Sequence, residues 1–250
     1  MTHIFNLQRS PEEPNRQLFA VNPGETQVAL PAIVDLRAKF PAPYNQKSLG
    51  ACSSMALGAA LQFLNPTYEP SQLFIYYNER KAANEVMQDS GSTLQIGVQT
   101  LNQYGACPES DWPYDISKFE IQPPVTCYQN ARKDILVGYQ SIPSNNIELI
   151  KTALYSQHPV VFGILIYPSF ESEQTAQTGI VSLPAQNEQT LGGHALCFAG
   201  YDDSKNAFLV RNSWGVQWGQ GGYFWLPYAY VQNPELTFDI WVISQLTTTS

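Results

Sequence analysis

The stretch "NQKSLGACSSMALGAAL", residues 45–61, places one cysteine between a glycine-punctuated loop and an apolar run. A thiol attacks carbon only as thiolate, and an unperturbed cysteine is mostly protonated at neutral pH. The start of a helix stabilises a thiolate through unpaired N–H groups and a partial positive charge. Cys52 stands where the apolar run begins, just after Gly50, which suits an activated nucleophile. The same position equally suits a small buried packing residue, and this stretch alone does not separate the two. Thiolate attack on a carbonyl also needs donors for the oxyanion that forms. The Cys52 backbone N–H is one candidate. The side-chain amide of Gln46, six residues earlier, is another, although a loop glutamine is commonly just solvated surface.

A second stretch changes that balance. Residues 192–223 read "GGHALCFAGYDDSKNAFLVRNSWGVQWGQGGY". His194 is one of three histidines, with His3 and His158, and it opens an apolar strand behind Gly192 and Gly193. "DDSKN" at 202–206 is turn chemistry, so the strands either side form a hairpin. Asn212 lies at the end of the returning strand, where antiparallel pairing brings it near His194 and lets it orient the imidazole. A lone histidine at a strand start is usually structural. A histidine and an asparagine across one hairpin, with a helix-start cysteine upstream, form a nucleophile–base–orienter set.

These segments resemble the papain-like (C1) cysteine peptidases, in particular their compact microbial and viral branch. "NSWGVQWGQGGY" is similar to that family's Asn-Ser-Trp-Gly-x-x-Trp-Gly-x-x-Gly-Tyr segment at every specified position. "NQKSLGACSSMA" is similar to Asn-Gln-Gly-x-x-Gly-x-Cys with the Gln-to-Cys interval kept, and "VDLR" at 34–37 to Val-Asp-Trp-Arg. The resemblance runs from about residue 33 to 245. It implies Cys52 as nucleophile, His194 as its ion-pair partner and later acid, Asn212 as ring holder, and Gln46 with the Cys52 N–H as oxyanion donors. It also implies that Trp214 shields the His194–Asn212 hydrogen bond and that Trp218 lines the leaving-group side. Gly91 and Ser92 stand where the family holds substrate backbone. Gly163, Gly192 and Gly193 would wall the pocket for the side chain preceding the cleaved residue, leaving room for bulky apolar or aromatic groups.

The chain departs from the family at two linked places. Leu49 replaces a cysteine ahead of the nucleophile, and "QDSGS" at 88–92 lacks the cysteine that pairs with it. Both halves of one disulfide are missing together, as suits folding under reducing conditions. Ser53 also replaces an aromatic residue after the nucleophile. Cys107 and Cys127 flank a proline-rich loop and stand as either a bridge or two free core thiols, while Cys197 reads as packing.

The elements that must position this set are legible from pattern. "CSSMALGAALQFL" is apolar on nearly every face, predicting a buried helix over 52–64 that Asn65-Pro66 stops. Further helices are expected in "PSQLFIYYNERKAANEV", capped by Ser71, and in "STLQIGVQTLNQYG", where Gly105 supplies a left-handed end residue. A helix in "NNIELIKTALYSQ" then precedes strands in "PVVFGILIY", "HALCFAGY", "AFLVRNSW", "GYFWLP" and "FDIWVISQL". The fold class is α+β: a papain-like two-lobe fold with a helical lobe over about 45–135, a β-rich lobe over about 136–250 and the site in the cleft between. Residues 1–31 form an extended leader ahead of a peptidase domain at 32–250. Ile4, Phe5, Leu7, Leu18, Phe19 and Val21 are too many apolar groups for a solvated tail, so the leader is expected to strap across the cleft or lobes.

Bulk properties narrow the function. The chain has 250 residues, 44% hydrophobic and 14% charged, with net charge -8 and no Lys/Arg cluster, which argues against nucleic-acid or anionic-membrane partners. "VVFGILIY" is too short to span a bilayer, and the N-terminus lacks a secretory signal pattern. The expected location is cytoplasmic, or exported without a conventional signal peptide. Dispersed histidines and cysteines form no zinc pattern, so no metal or cofactor is expected. The partner is a polypeptide substrate. Acyl transfer or amidase chemistry could use the same residues. An inactive binding homologue is the third reading, opposed by the intact Gln46, Cys52, His194 and Asn212.

Overall fold

The computed structural model describes residues 3–20 and 29–247. Val21, counted above among the leader's apolar groups, lies outside them. Helices dominate the first half. α1 (Cys52–Leu64) is buried on nearly all faces, because its serines, alanines and Gly58 let neighbouring elements approach closely. α2 (Gln72–Ala82) is capped as expected, with Ser71 Oγ accepting from the Phe74 N–H at 3.1 Å. α3 (Leu94–Tyr104) ends on Gly105, whose φ of 72° is positive but whose ψ of -156° leaves the left-handed helical region expected there. That conformation is open to glycine alone, and it brings the Gly105 α-carbon against the Ala131 carbonyl. The short α4 (Val125–Ala131), not anticipated from pattern, completes this half.

The second half is an antiparallel sheet. Its order is β2 (Leu136–Ser141), β7 (Thr237–Leu246), β3 (Val160–Ile166), β4 (Gly192–Asp202), β5 (Ala207–Arg211) and β6 (Tyr223–Pro227), with β1 (Ile33–Asp35) also paired to β4. α5 (Ile147–Tyr155), α6 (Glu173–Thr178) and α7 (Tyr228–Gln232) decorate it. The "DDSKN" hairpin joins β4 to β5, with Asn206 taking the positive φ of 50° that the turn requires. α1 lies on β4. The start of α1 therefore faces the start of β4, with the Ala195 N–H at Cys52.

Residues 3–20 of the leader are extended and are tied to the body at two places. Asn6 forms a parallel bridge to Gly193, and Leu18 forms one to Ser141 on β2. Phe19 N–H donates to the Ser141 carbonyl, and Ser141 N–H to that of Gln17, both at 2.8 Å. Among the described residues no helix is long and apolar enough to cross a membrane, and no cluster of His, Cys, Asp or Glu could hold a metal ion.

Candidate active site

Cys52 is the first residue of α1, and no side chain caps that helix. Backbone N–H groups of Ala195, Ser53 and Cys52 instead act on the thiol, each favouring the thiolate. Across the cleft, β4 carries His194 and the end of β5 carries Asn212. His194 Nε2 lies 2.9 Å from Asn212 Oδ1, which also accepts the Ser213 backbone N–H at 2.8 Å. A backbone N–H can only donate, so Oδ1 is fixed as an acceptor and His194 Nε2 must carry the hydrogen. In the neutral ring Nδ1 is then a free acceptor, and it is buried with no hydrogen-bond partner. Gln46 is held from several sides. Its N–H donates to the Ser213 carbonyl at 2.9 Å, its carbonyl accepts from Tyr114 Oη at 2.9 Å, and Nε2 donates to the Leu49 carbonyl at 3.0 Å.

Aromatic side chains wall the site. Trp214 stacks on His194 with ring centroids 5.1 Å apart, and Trp218 meets Trp214 edge-on at 5.0 Å. Phe170, not anticipated, stacks on Trp218 at 5.8 Å.

The leader fills the remaining space. The His3 ring stacks on Trp214 at 4.0 Å, with Nδ1 2.9 Å from Glu171 Oε1, and the Phe5 ring stands edge-on to His194 at 6.1 Å. Leu7 N–H donates to the Gly193 carbonyl at 3.1 Å, and Gln8 N–H to that of Ser92 at 2.9 Å. A side-chain carbon placed at Gly193 would lie 2.1 Å from the Leu7 carbonyl oxygen, and one at Gly91 would lie 2.2 Å from that of Asn6. One placed at Gly192 would lie 2.0 Å from the Phe5 carbonyl oxygen. At Gly163 such a carbon would lie 2.5 Å from the Phe238 ring and 2.8 Å from a Leu7 methyl group, so the leader's Leu7 sits against the glycine expected to wall a side-chain pocket.

Under this cover His194 is 0% exposed and Cys52 1%. Burial pushes the Cys52 thiol up to about 12, against the helix-start N–H groups. Burial pushes His194 down to about 4, against the Asn212 hydrogen bond, and the neighbouring His3 lowers it further. Both groups are therefore neutral at pH 7 in the covered arrangement.

A family model described as papain family cysteine protease matches residues 30–236. The chain belongs to the papain family of cysteine proteases. It is 40% identical over 233 residues to an uncharacterized peptidase C1-like protein of Acanthamoeba polyphaga mimivirus, covering 86% of this chain and 75% of the viral protein. Its fold is similar to that of xylellain, a cysteine protease from Xylella fastidiosa, with a TM-score of 0.88 and 32% identity over 98% of this chain and 96% of that one. Digestive procathepsin L 3 of Tenebrio molitor matches with a TM-score of 0.70 over 94% of this chain and 75% of that one. At 18% identity that likeness bears on the fold alone. The papain-like α+β fold expected from the motifs is the one found.

Against that family frame, the two cysteine-less loops acquire a substitute tie. The Asp89 carboxylate in "QDSGS" accepts the Gly50 N–H at 2.9 Å and the Tyr76 hydroxyl, joining the two segments that lack the disulfide. Cys107 and Cys127 carry no bridge either: both are buried and free. Ser53, at the position of the missing aromatic, donates to Glu79 Oε2 at 2.6 Å. Burial raises that carboxyl to about 8, against the Ser53 bond and the Arg80 charge. Glu79 lies inside α2, the helix expected in "PSQLFIYYNERKAANEV", and no local pattern marks its contact with Ser53.

Proposed function

We propose that this papain-family chain hydrolyses peptide bonds through a Cys52–His194 pair and an acyl-enzyme, in a domain spanning 32–250 whose cleft residues 3–8 of the leader cover. With the leader displaced and a polypeptide bound, His194 Nδ1 takes the Cys52 proton. The thiolate attacks the carbonyl carbon, and the oxyanion is held by the Cys52 N–H and the second hydrogen of Gln46 Nε2. Collapse breaks the C–N bond as the His194 imidazolium protonates the leaving amine. Water then attacks the thioester with His194 as base, releasing the acid and the thiol. Asn212 keeps the required tautomer, and Trp214 covers its hydrogen bond. One observation carries this reading: an acceptor nitrogen on His194, left without a partner, on a ring whose other nitrogen is committed to Asn212.

The leader's direction supports latency. Its His3 lies on Trp214, next to Trp218 on the leaving-group side, and its path then passes His194 and Gly193 to Ser92 on the acyl side. A substrate cleaved at Cys52 runs the other way, with its N-terminal residues beside Gly91 and Ser92. The leader thus uses the cleft's backbone partners while offering its peptide bonds in reversed order, and it cannot be cut where it lies. Its Leu7, against Gly163 and Phe238, supports the apolar part of the expected preference for bulky apolar or aromatic side chains. Labelling with a peptidyl vinyl sulfone tests the function. Mass increase confined to Cys52, lost in Cys52→Ala, supports it; no labelling once residues 1–8 are removed overturns it. Cleavage profiling of a peptide library tests the pocket.

A further inference from the structure

We propose that Tyr76 is a positioning residue that, with Asp89, fixes the segment Gly91–Ser92 relative to Cys52 and so sets how well the acyl-side backbone of a substrate is held. Tyr76 lies in α2, is fully buried and shares an apolar cluster with Leu49, one of the two places that lack the family's disulfide. Its hydroxyl donates to the Asp89 carboxylate, in the loop that holds the other. The same oxygen accepts the Gly91 N–H at 3.1 Å, and the two Asp89 oxygens accept the Gly50 N–H at 3.0 and 2.9 Å.

The direction of each bond is forced. A backbone N–H only donates, so the Tyr76 oxygen is the acceptor at Gly91, and its own hydrogen is left for a carboxylate that only accepts. Burial first, and then the Asp89 carboxylate, hold that proton on Tyr76. The Arg80 guanidinium lies over the Tyr76 ring at 4.3 Å and donates to the Val86 carbonyl at 2.7 Å, which clamps the ring to the segment leading into Asp89. The bonds thus run from Gly91 through Tyr76 and Asp89 to Gly50, two residues before Cys52. A disulfide would tie the two loops at one point, whereas this hydroxyl also grips the residue next to Ser92. The Ser92 carbonyl takes the Gln8 N–H of the leader, and a substrate backbone would use the same acceptor. Without the hydroxyl the Gly91 N–H would be buried and unpaired. Gly91, at a φ of 72° that glycine adopts freely, could then turn and take Ser92 with it.

The inference rests on Gly91 and Ser92 holding substrate backbone, and the test separates the two. The full chain is given two p-nitrophenyl esters: that of an acetylated dipeptide, long enough to reach Ser92, and the acetate, which is not. Both need the leader displaced, so its opening cancels in the ratio of their kcat/KM values. Tyr76→Phe should lower the long-to-short ratio about tenfold, roughly the worth of one hydrogen bond. Asp89→Asn should lower it in the same direction, and it carries the test if Tyr76→Phe does not fold. Tyr68→Phe removes a buried hydroxyl that donates to the Ala106 carbonyl, beyond the C-terminal end of α1. It should lower Tm and leave the ratio unchanged. An unchanged ratio in Tyr76→Phe or Asp89→Asn, or an equal fall in Tyr68→Phe, would overturn the positioning role. The reading beneath it is checked on the parent chain with the long ester N-methylated at the amide facing Ser92. That methyl group should also cost about tenfold. No loss would remove the substrate-holding role of Gly91 and Ser92, and the proposal with it.

Discussion

The two halves of the leader hold on by different physics. His3 to Gln8 uses aromatic stacking beside His194 and Trp214, backbone hydrogen bonds, and side-chain bonds from His3 to Glu171 and Asn6 to Asp89. Arg9 to Phe19 uses charge and sheet-edge contacts. Arg9 lies over the Phe238 ring at 4.5 Å and Arg16 over Trp241 at 4.9 Å. Ser10 N–H donates to Asp239 Oδ2 at 2.6 Å, Arg16 Nη2 donates to Gln95 Oε1 at 2.6 Å, and Phe19 docks on Ser141. In the function proposed above, the first half would control access and the dryness of the pair, and the second would fix where the first must land. A blocking segment and its anchor can therefore be changed separately.

Hydrolysis gained by freeing the cleft must belong to the site beneath it, and this sets the largest expected effect. Cys52→Ala and His194→Ala should each abolish it, the double variant should be hardly worse, and Asn212→Ala should keep measurable turnover. Full activity in either single variant would break the mechanism. Within the blocking half, Leu7→Ala removes most of a buried leucine's roughly 1.5–3 kcal/mol. At about 1.4 kcal/mol per tenfold, turnover by the full chain should rise at least about tenfold. An unchanged rate would mean that the cleft half is not what closes the site.

The anchor half should answer differently. Arg16→Ala loses a hydrogen bond and a cation–ring contact, about 1–2 kcal/mol of stability read as a lower Tm. Its turnover should change less than that of Leu7→Ala, and the reverse order would merge the two halves into one. A pH-dependent effect that is independent of the leader contacts lies under Cys52. Glu79 titrates near 8 folded and in the ordinary carboxylate range unfolded. The folded state thus holds the proton more tightly, so stability present at pH 4.5 should fall as pH rises through 8. Glu79→Gln should flatten that slope in denaturant melts, with or without residues 1–8.

Local pattern made the site elements legible. Cys52 and α1 followed from a short apolar run with a proline stop, and the His194–Asn212 pair from a turn between two strands. What sequence could not supply is long-range. Phe238 reaches Gly163 only through β7–β3 pairing, and no local signal marks that contact. Asp89 and Glu79 act on Gly50 and Ser53 across loops and helices, and no local signal marks them. Ser213 stood inside the most specific motif, yet its partner Gln46 lies far along the chain. The leader's apolar count foretold contact with the body, but not its reversed direction.

The central claim is that residues 3–8 close a competent site. It is tested most directly by the rate at which a peptidyl vinyl sulfone labels Cys52 in the full chain and in the chain lacking residues 1–8, with Cys52→Ala as blank. Slow labelling of the full chain and labelling about a hundredfold faster after truncation, at similar Tm, is the predicted result. Equal rates in the two chains would contradict it.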